Sequence, residues 1–338
     1  MTDDQLTSLA RPRPLDPYSS RAPHLVAVVD TNVLLSSIDN DCRNEAEGRR
    51  SRLLRMSDRG DVVLYAADHV LDEVYEHLPT IAASSPVPLA ALRARFEDEY
   101  LPALRFVTMS DVDAPDPQVL AITDPDDVPT GRLAKLIAPC VVFSDDRHLK
   151  KPGFAPKRWI DSAGAAVEVA DASWDQLLTA NTAILPFRGM VGLISYTGRK
   201  IGISPWLLGV VVLGVGAVLL KRPDRRRSTL RVVEAVFEAI VSQLAVAMEQ
   251  ERRGVERLRK AVLDVPAEPT LRQQVAIVLA RQHEPLLAAE VHGLICEWFP
   301  DALGVSIKDV WSILADGTEF VRVLRYRWRL GGVVAPAC

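Results

Sequence analysis

The N-terminal half of the sequence predicts an α/β fold, in which an open and mostly parallel sheet is covered by helices. Short apolar runs rich in β-branched residues occur at 24–30 and 140–143, and each ends in a polar cluster, as buried parallel strands do. The segments between them carry apolar residues at helical spacing, as at 70–78. This alternation of strand and helix is typical of parallel sheets whose consecutive strands are joined by helices.

In chain order, the individual elements keep this alternation. The predicted strands are HLVAVVD (24–30), DVVLYAA (61–67), LRFVTM (104–109), CVVF (140–143) and a last strand, AAVEVA (165–170). The predicted helices are 44–59, 70–78, 89–104, 124–137 and 171–180. In a parallel sheet the carboxyl ends of the strands meet at one edge, so polar residues that follow different strands are expected to lie close together.

The length of the chain predicts more than one domain, because 338 residues exceed what a single hydrophobic core usually supports. The expected segments are a disordered leader (1–23), an α/β domain (24–180), a transmembrane helix (201–220), a basic flank with a long connector helix (221–268) and a small α+β domain (269–332).

Charge and cysteine usage narrow the class of protein. The formal net charge of -4 predicts no bulk attraction to nucleic acid, so binding of a polyanion would depend on local basic patches. The four cysteines are scattered without zinc-like spacing, which disfavours a zinc site or a disulfide framework and fits a reducing cytosol.

The expected transmembrane helix is a run of twenty residues without a formal charge, IGISPWLLGVVVLGVGAVLL. At about 1.5 Å per residue such a helix spans roughly 30 Å, the thickness of the hydrocarbon layer of a bilayer. A buried helix or strand is the alternative interpretation.

The sequence gives conflicting indications of how the chain would be oriented in a membrane. The segment 221–227 carries five basic residues against one acid, which by the positive-inside rule places the C-terminal part in the cytoplasm. A single pass would then put the N-terminal domain outside, whereas a short re-entrant stretch at 190–196 would return both ends to one side. We expect a membrane-associated protein with both domains in the cytoplasm.

Four acidic residues are placed where the predicted fold would gather them. Asp30 ends the first strand, Glu73 lies on the helix after the second, Asp127 opens a helix, and Asp146 follows the strand CVVF. Carboxylate oxygens are ligands of Mg²⁺ and Mn²⁺, which neutralise a phosphate and lower the pKa of an attacking water. The sequence therefore predicts a divalent-cation site suited to phosphodiester hydrolysis.

These residues and their neighbours resemble the PIN-domain nucleases over about residues 24–170. The matching stretches are VVDTNVLL with Asp30 and Asn32, VLDEVYEHL with Glu73, DPDDVPTGRLA with Asp127, and VVFSDDRHL with Ser144 and Asp146. The resemblance implies a three-layer α/β/α sandwich, dependence on Mg²⁺ or Mn²⁺, and hydrolysis of phosphodiester bonds, usually in RNA, leaving a 5′-phosphate. Many members are endoribonuclease toxins of bacterial toxin–antitoxin pairs, and others process ribosomal RNA.

The resemblance also implies roles for individual residues. The acidic quartet of the family is matched by Asp30, Glu73, Asp127 and Asp146, and its polar supports by Asn32 and Ser144. The neighbouring acids Asp126 and Asp145 leave two of these assignments open by one residue. His148 is expected beside the site rather than as a ligand.

Each motif also has a purely structural interpretation. Asp30 could be only a helix N-cap, Glu73 a solvated helix acid, and the DPDD and DDRHL stretches ordinary turns. Lysines at 150, 151 and 157 could be solvated charges or phosphate contacts. The co-occurrence of the acidic residues in order favours a site.

The C-terminal segment resembles a winged helix-turn-helix domain. Helix candidates at 271–282, 286–299 and 306–316 precede a predicted β-hairpin at 319–332, in which arginines alternate with apolar residues. The resemblance implies that the third helix enters a groove and that the hairpin contacts phosphates. In that helix Lys308 stands against Asp309 and Asp316, so protein binding is an equal alternative.

The leading hypothesis is a membrane-tethered, metal-dependent endoribonuclease that is regulated through its C-terminal domain. Its expected partners are an RNA substrate, the membrane, a protein inhibitor or activator, and further copies of itself. Asp30, Asp127 and Asp146 are expected to bind the principal cation, with Glu73 orienting water or a second ion. The alternatives are a catalytically inactive PIN-fold scaffold and a membrane-tethered nucleic-acid-binding regulator.

Overall fold

The computed structural model describes residues 25–44, 50–58, 62–109, 116–169, 242, 245–250, 252–300 and 304–332. Four expectations fall outside these residues: the disordered leader, a helix at 171–180, a transmembrane helix at 201–220 and the basic segment 221–227. Within the described ranges, no helix is both long enough and apolar enough to cross a membrane.

The chain divides into two compact units, Met1–Ala170 with Arg253–Cys338, and Asp171–Arg252. In the second unit residues 245–250 are helical.

A five-stranded sheet forms the centre of the first unit. Its strands are β1 (Leu25–Val29), β2 (Val62–Ala67), β3 (Leu104–Val107), β4 (Cys140–Phe143) and β5 (Val262–Leu263), in the spatial order β3-β2-β1-β4-β5. Strands β1 to β4 are parallel, and β5 pairs antiparallel with β4. The predicted α/β class with a mostly parallel sheet is confirmed.

Both faces of the sheet are buried. Val26 and Val28 belong to one hydrophobic cluster, whereas Ala27 and Val29 belong to another, because successive side chains of a strand point to opposite faces. Every residue of β2 and β4 is buried. This pattern is typical of parallel strands covered by helices on both sides.

Helices join the strands of the sheet. They are α1 (Thr31–Arg43), α2 (Arg52–Asp58), α3 (His69–Ser84), α4 (Leu89–Arg95) with its continuation through Phe96–Tyr100 and Leu101–Ala103, α5 (Pro117–Leu120), α6 (Val128–Ile137) after a 3₁₀ turn at Pro125–Asp127, and α7 (Arg147–Lys150). Among them, α1 and α5 were not predicted from the sequence. Of the helix predicted at 44–59, residues 52–58 form α2 and residues 50 and 51 are not helical, while 45–49 and 59 lie outside the described residues. Of the strands, LRFVTM is observed as β3.

The strand predicted at 165–170 is wrong. Residues 159–169 form a helix, α8, which includes the first five residues of AAVEVA; residue 170 is not among the described residues. Trp159, Ala163, Ala166 and Val169 are buried at helical spacing, in the same cluster as Val29. The high helix propensity of alanine outweighs the apolar run that suggested a strand.

The elements after residue 252 begin with a helix at 252–259, α9, and the unpredicted strand β5. Three further helices, α10 (Leu271–Ala280), α11 (Ala288–Trp298) and α12 (Ile307–Asp316), precede the hairpin formed by β7 (Phe320–Leu324) and β8 (Arg327–Leu330). A short strand, β6 (Leu286–Leu287), pairs with β8, so that the sheet has the order β6-β8-β7. The three helices and the hairpin predicted from the sequence are confirmed.

These C-terminal elements share a core with the sheet. Val275, Val278 and Leu279 of α10 belong to the same buried cluster as Val26 and Val28 of β1. Helix α10 is therefore one of the helices that cover this face of the sheet.

The C-terminal part of the chain also borders the sheet at both edges. Strand β5 pairs with β4 at one edge, and Gly332 forms a bridge with Phe106 of β3 at the other. The Phe106 amide donates to the Gly332 carbonyl oxygen at 3.0 Å, and the Gly332 amide donates back at 2.9 Å.

The stretches that precede and follow the second unit contact each other within the first. A Cβ placed on Gly254 of α9 would stand 2.6 Å from Val169 Cγ2 and 3.2 Å from the carbonyl oxygen of Ala165 in α8. Arg257 and Glu168 form an ion pair beside this contact. The two ends that flank residues 171–252 are therefore neighbours in space.

A buried arginine ties α10 to the N-terminal elements. Arg281 donates to the carbonyl oxygens of Ile137 at 3.4 Å, Ile277 at 3.0 Å and Pro139. Burial lowers the pKa of Arg281 to about 10, so the guanidinium keeps its charge at neutral pH. The Arg281 side chain therefore donates to carbonyl oxygens of the preceding helix, α10, of the last residue of α6, and of the segment between α6 and β4.

Arg281→Ala is expected to lower the free energy of unfolding by about 3–5 kcal/mol, because it leaves a cavity and removes the donors to buried carbonyl oxygens. Urea unfolding followed by circular dichroism measures the change. The exposed Arg322 provides the control, and Arg322→Ala should stay within about 0.5 kcal/mol of wild type. Equal stability of the two variants would contradict the role given to Arg281.

Candidate functional site

The candidate site lies at the carboxyl edge of the parallel strands. Asp30 directly follows β1, and Ser144 and Asp146 follow β4. Glu73 lies on α3, which begins two residues after β2 ends, and Asp127 ends the 3₁₀ turn that leads into α6. The fold therefore delivers each predicted residue to the edge at which the strands end.

Asp30 is the most buried member of the acidic quartet, with 5% of its surface exposed. Its Oδ1 accepts the Thr31 amide at 2.8 Å, and its Oδ2 accepts Asn32 Nδ2 at 2.7 Å and the Ser144 hydroxyl. Burial raises the pKa of Asp30, the hydrogen bonds from Ser144 and Thr31 lower it in part, and the charges of Glu73 and Asp146 raise it further. Three donors thus fix the position of the Asp30 carboxyl group, while its burial and the neighbouring acids disfavour its ionised form.

Asp127 shows that the four acids are close enough to act on one another. The pKa of Asp127 is raised to about 7, chiefly by burial and further by the charges of Asp30, Asp146, Asp124 and Glu73, in that order. Its Oδ2 is buried and has no hydrogen-bond partner among the described residues. One turn later, the Oγ1 of Thr130 is also buried without a partner in the described part of the chain.

The neighbouring acids Asp145 and Asp146 differ in their hydrogen-bond partners and in their exposure. The Asp146 amide donates to the Ser144 hydroxyl at 2.9 Å, and its Oδ1 accepts the His148 amide at 2.7 Å. Asp145 is exposed, pairs with Lys150 at 2.9 Å and accepts Trp159 Nε1 at 3.0 Å. The charge that acts on Asp30 and Asp127 comes from Asp146.

The alternative Asp126 is likewise separated from Asp127. Asp126 is exposed, and its amide donates to Asp124 Oδ1 at 3.2 Å, which forms the cap of the 3₁₀ turn. Asp127 is half-buried and interacts with the other acids. Of each adjacent pair, the structure brings Asp127 and Asp146 to the quartet.

Asn32 and His148 each form a hydrogen bond with a member of the quartet, Asn32 with Asp30 and His148 through its amide with Asp146. Besides donating to Asp30, Asn32 accepts the Asp145 amide through its Oδ1 at 3.1 Å, so it joins the ends of β1 and β4. The His148 Nδ1 contacts the Thr123 hydroxyl, and its Nε2 accepts Arg147 Nε at 3.2 Å. Both ring nitrogens are therefore engaged with residues that do not belong to the quartet.

Thr31 is a site residue that the sequence reasoning missed. It is 6% exposed, and its hydroxyl donates to Glu73 Oε2 while its amide donates to Asp30 Oδ1. One residue therefore joins two members of the quartet. Its position directly after Asp30 was the only signal in the sequence, and a contact across α1 and α3 gives no local pattern.

The donor set of the site suits a hard divalent cation. The four carboxylates carry oxygen atoms of the kind that Mg²⁺ and Mn²⁺ prefer, and the Oδ2 of Asp127 is buried without a hydrogen-bond partner in the described structure. Among the described residues, no group of three or more Asp, Glu, His or Cys side chains stands close enough to hold a metal as placed. Holding a cation would therefore require movement of these side chains.

Comparison with known proteins gave no relative, since no family model, no curated protein and no solved structure matched this chain.

Proposed function

We propose that this protein is a Mg²⁺- or Mn²⁺-dependent endoribonuclease of the PIN-like kind. The proposal is supported chiefly by Asp127, whose pKa is raised first by burial and then by the charges of other acids, among them three that lie far from it in sequence: Asp30, Asp146 and Glu73. Stability alone does not favour gathering like charges, because mutual repulsion and burial both destabilise the ionised forms. A bound cation would neutralise these charges, and carboxyl groups with shifted pKa values are concentrated at functional sites.

The residues divide the work between binding and positioning. Asp30, Asp127 and Asp146 would hold the cation, with Glu73 orienting water or a second ion. Ser144, Asn32 and Thr31 keep the carboxylates in place through the hydrogen bonds described above. A bound Mg²⁺ or Mn²⁺ supplies charge neutralisation at the phosphate and a lowered pKa for the attacking water.

The direct test is cleavage of labelled RNA by the intact chain, with Mn²⁺ or Mg²⁺ against EDTA. We expect cleavage with either cation, products that carry a 5′-phosphate, and none with EDTA. An intact chain that binds the cation yet leaves RNA uncut would favour the alternative of an inactive scaffold.

Thr31→Val is expected to reduce cleavage by about 10–100-fold, because valine keeps the shape of the side chain but removes the donor to Glu73. Thr31→Ser retains a hydroxyl and should recover most of the activity. The loss should lie in kcat more than in KM, since Thr31 touches a carboxylate rather than RNA. If valine and serine behave alike, the hydroxyl does not position Glu73.

A further inference from the structure

A loop rich in basic residues begins at the candidate site. Residues 147–158 carry five Lys and Arg side chains and His148 but no Asp or Glu, although the chain as a whole has a net charge of -4. The loop starts immediately after Asp146, whose side chain caps its first turn. Positive charge is thus concentrated next to the quartet.

Buried anchors hold this basic loop in a fixed shape. Leu149 and Phe154 are 0% and 1% exposed, and the Phe154 amide donates to the Leu149 carbonyl oxygen at 3.0 Å. Gln118 Nε2 donates to the Pro152 carbonyl oxygen at 2.9 Å, which ties the loop to the segment before Asp127. Charged side chains on this loop are therefore carried by an ordered backbone.

Part of the positive charge of the basic loop is not neutralised by nearby acids. Lys150 pairs with Asp145 at 2.9 Å, and Arg158 pairs with Asp161 at 3.4 Å. Lys151 and Lys157 are exposed, and neither forms an ion pair within the described residues. A polyanion that approaches this surface would meet cations that carry no competing partner.

We propose that the basic loop, residues 147–158, binds the phosphate backbone of the RNA substrate beside the quartet, with Lys151 and Lys157 as its principal contacts. The carboxylates repel a phosphodiester, and the net charge of the chain provides no general attraction to RNA. A cationic strip that adjoins the acids supplies the missing attraction. Phe154 is the only Phe, Tyr or Trp of the loop and it is buried, so we expect the lysines to contact phosphates rather than bases.

The identity of the ligand as RNA depends on the proposed function, but binding can be measured without cleavage. A fluorescent single-stranded RNA is titrated with the intact chain in EDTA, and its anisotropy is followed at several salt concentrations. The variant K151Q/K157Q should weaken binding about tenfold or more and reduce the slope of log K against log salt by about 1.4, at roughly 0.7 per lost contact.

A matched control removes two exposed cations from helices on the opposite face of the sheet. R55Q/R93Q changes the net charge of the chain by the same amount, and both arginines are exposed on α2 and α4. This variant should bind RNA nearly as wild type does. Equal weakening by both double variants would show a general charge effect and overturn the proposal, as would unchanged binding by K151Q/K157Q.

Cleavage assays separate this proposal from the proposed function. If RNA is cut but K151Q/K157Q leaves KM unchanged, the loop does not bind the substrate and the nuclease assignment stands. If RNA is never cut but binding depends on the two lysines and not on the control pair, the nuclease assignment fails and the RNA-binding loop stands.

Discussion

Asp127→Asn is expected to lower metal-dependent RNA cleavage by about 10²–10⁴-fold, which is the range for removal of an essential acid–base or charge-stabilising group. Asp127 is the cleanest position for this test because its Oδ2 has no hydrogen-bond partner in the described structure, so the amide disrupts no existing bond at that atom. Cleavage of labelled RNA in Mn²⁺ measures the effect. Activity close to that of wild type would contradict the role of Asp127.

The same substitution should stabilise the metal-free protein. The pKa of Asp127 rises from 3.8 to about 7 on folding, so between these values the folded state holds a proton that the unfolded state has lost. The contribution of Asp127 to stability is therefore lost as the pH rises through this window. In EDTA, the Tm of Asp127→Asn should exceed that of wild type at pH 8, and the difference should shrink towards pH 4.

Asp30→Asn is the informative comparison for these measurements. The Asp30 carboxylate accepts hydrogen bonds from Ser144, Asn32 and the backbone amide of Thr31. In the Asp30→Asn variant the side-chain NH₂ group would replace one accepting oxygen and point a donor at these donors. We expect this variant to lose activity as Asp127→Asn does but to lose stability as well. Opposite changes in Tm for two inactive variants would separate the catalytic effect from unfolding.

A chain that ends at residue 170 is expected not to fold. It lacks α10, whose Val275, Val278 and Leu279 are buried in the same cluster as β1. Burial of three such side chains contributes about 5–9 kcal/mol, which is comparable with the total stability of a domain, about 5–15 kcal/mol. Circular dichroism and urea unfolding should show no cooperative transition for this fragment.

A shortened chain provides the matched control for that fragment. Joining residue 170 to residue 253 through a short flexible linker removes the second unit but keeps the neighbouring ends, where Gly254 lies against Val169. We expect this protein to unfold cooperatively and to cleave RNA at a rate close to that of the intact chain. A folded, active fragment that ends at residue 170 would show that α10 is dispensable.

The parts of the fold that follow local pattern could be predicted. Strands β1 and β4 and the helix after Asp127 were foreseen, because buried parallel strands and capped helices leave short-range signals in the sequence. The gathering of Asp30, Glu73, Asp127 and Asp146 followed from the rule that parallel strands end at a common edge. Neighbouring acids stayed ambiguous, since exposure depends on side-chain packing rather than on motif.

The features that were missed depend on contacts between distant residues. Val262 and Leu263 form a strand only because β4 offers an open edge, and two residues carry no periodic pattern. The role of α10 in covering the sheet leaves no signal in its own sequence, because a short apolar helix suits the core of a separate domain equally well. The error at 165–170 arose because a run of small apolar residues fits a strand or a helix until its buried neighbours are known.

The contact between Gly254 and Val169 has a topological consequence for any attachment to a lipid bilayer. A stretch of chain whose two ends are anchored in one folded body can traverse a bilayer an even number of times or not at all. An odd number of crossings within residues 171–252 would place Val169 and Gly254 on opposite sides of the bilayer, which is incompatible with their contact. The acidic quartet and the C-terminal helices α10 to α12 belong to this one folded unit, so they lie on the same side of any bilayer to which the chain attaches.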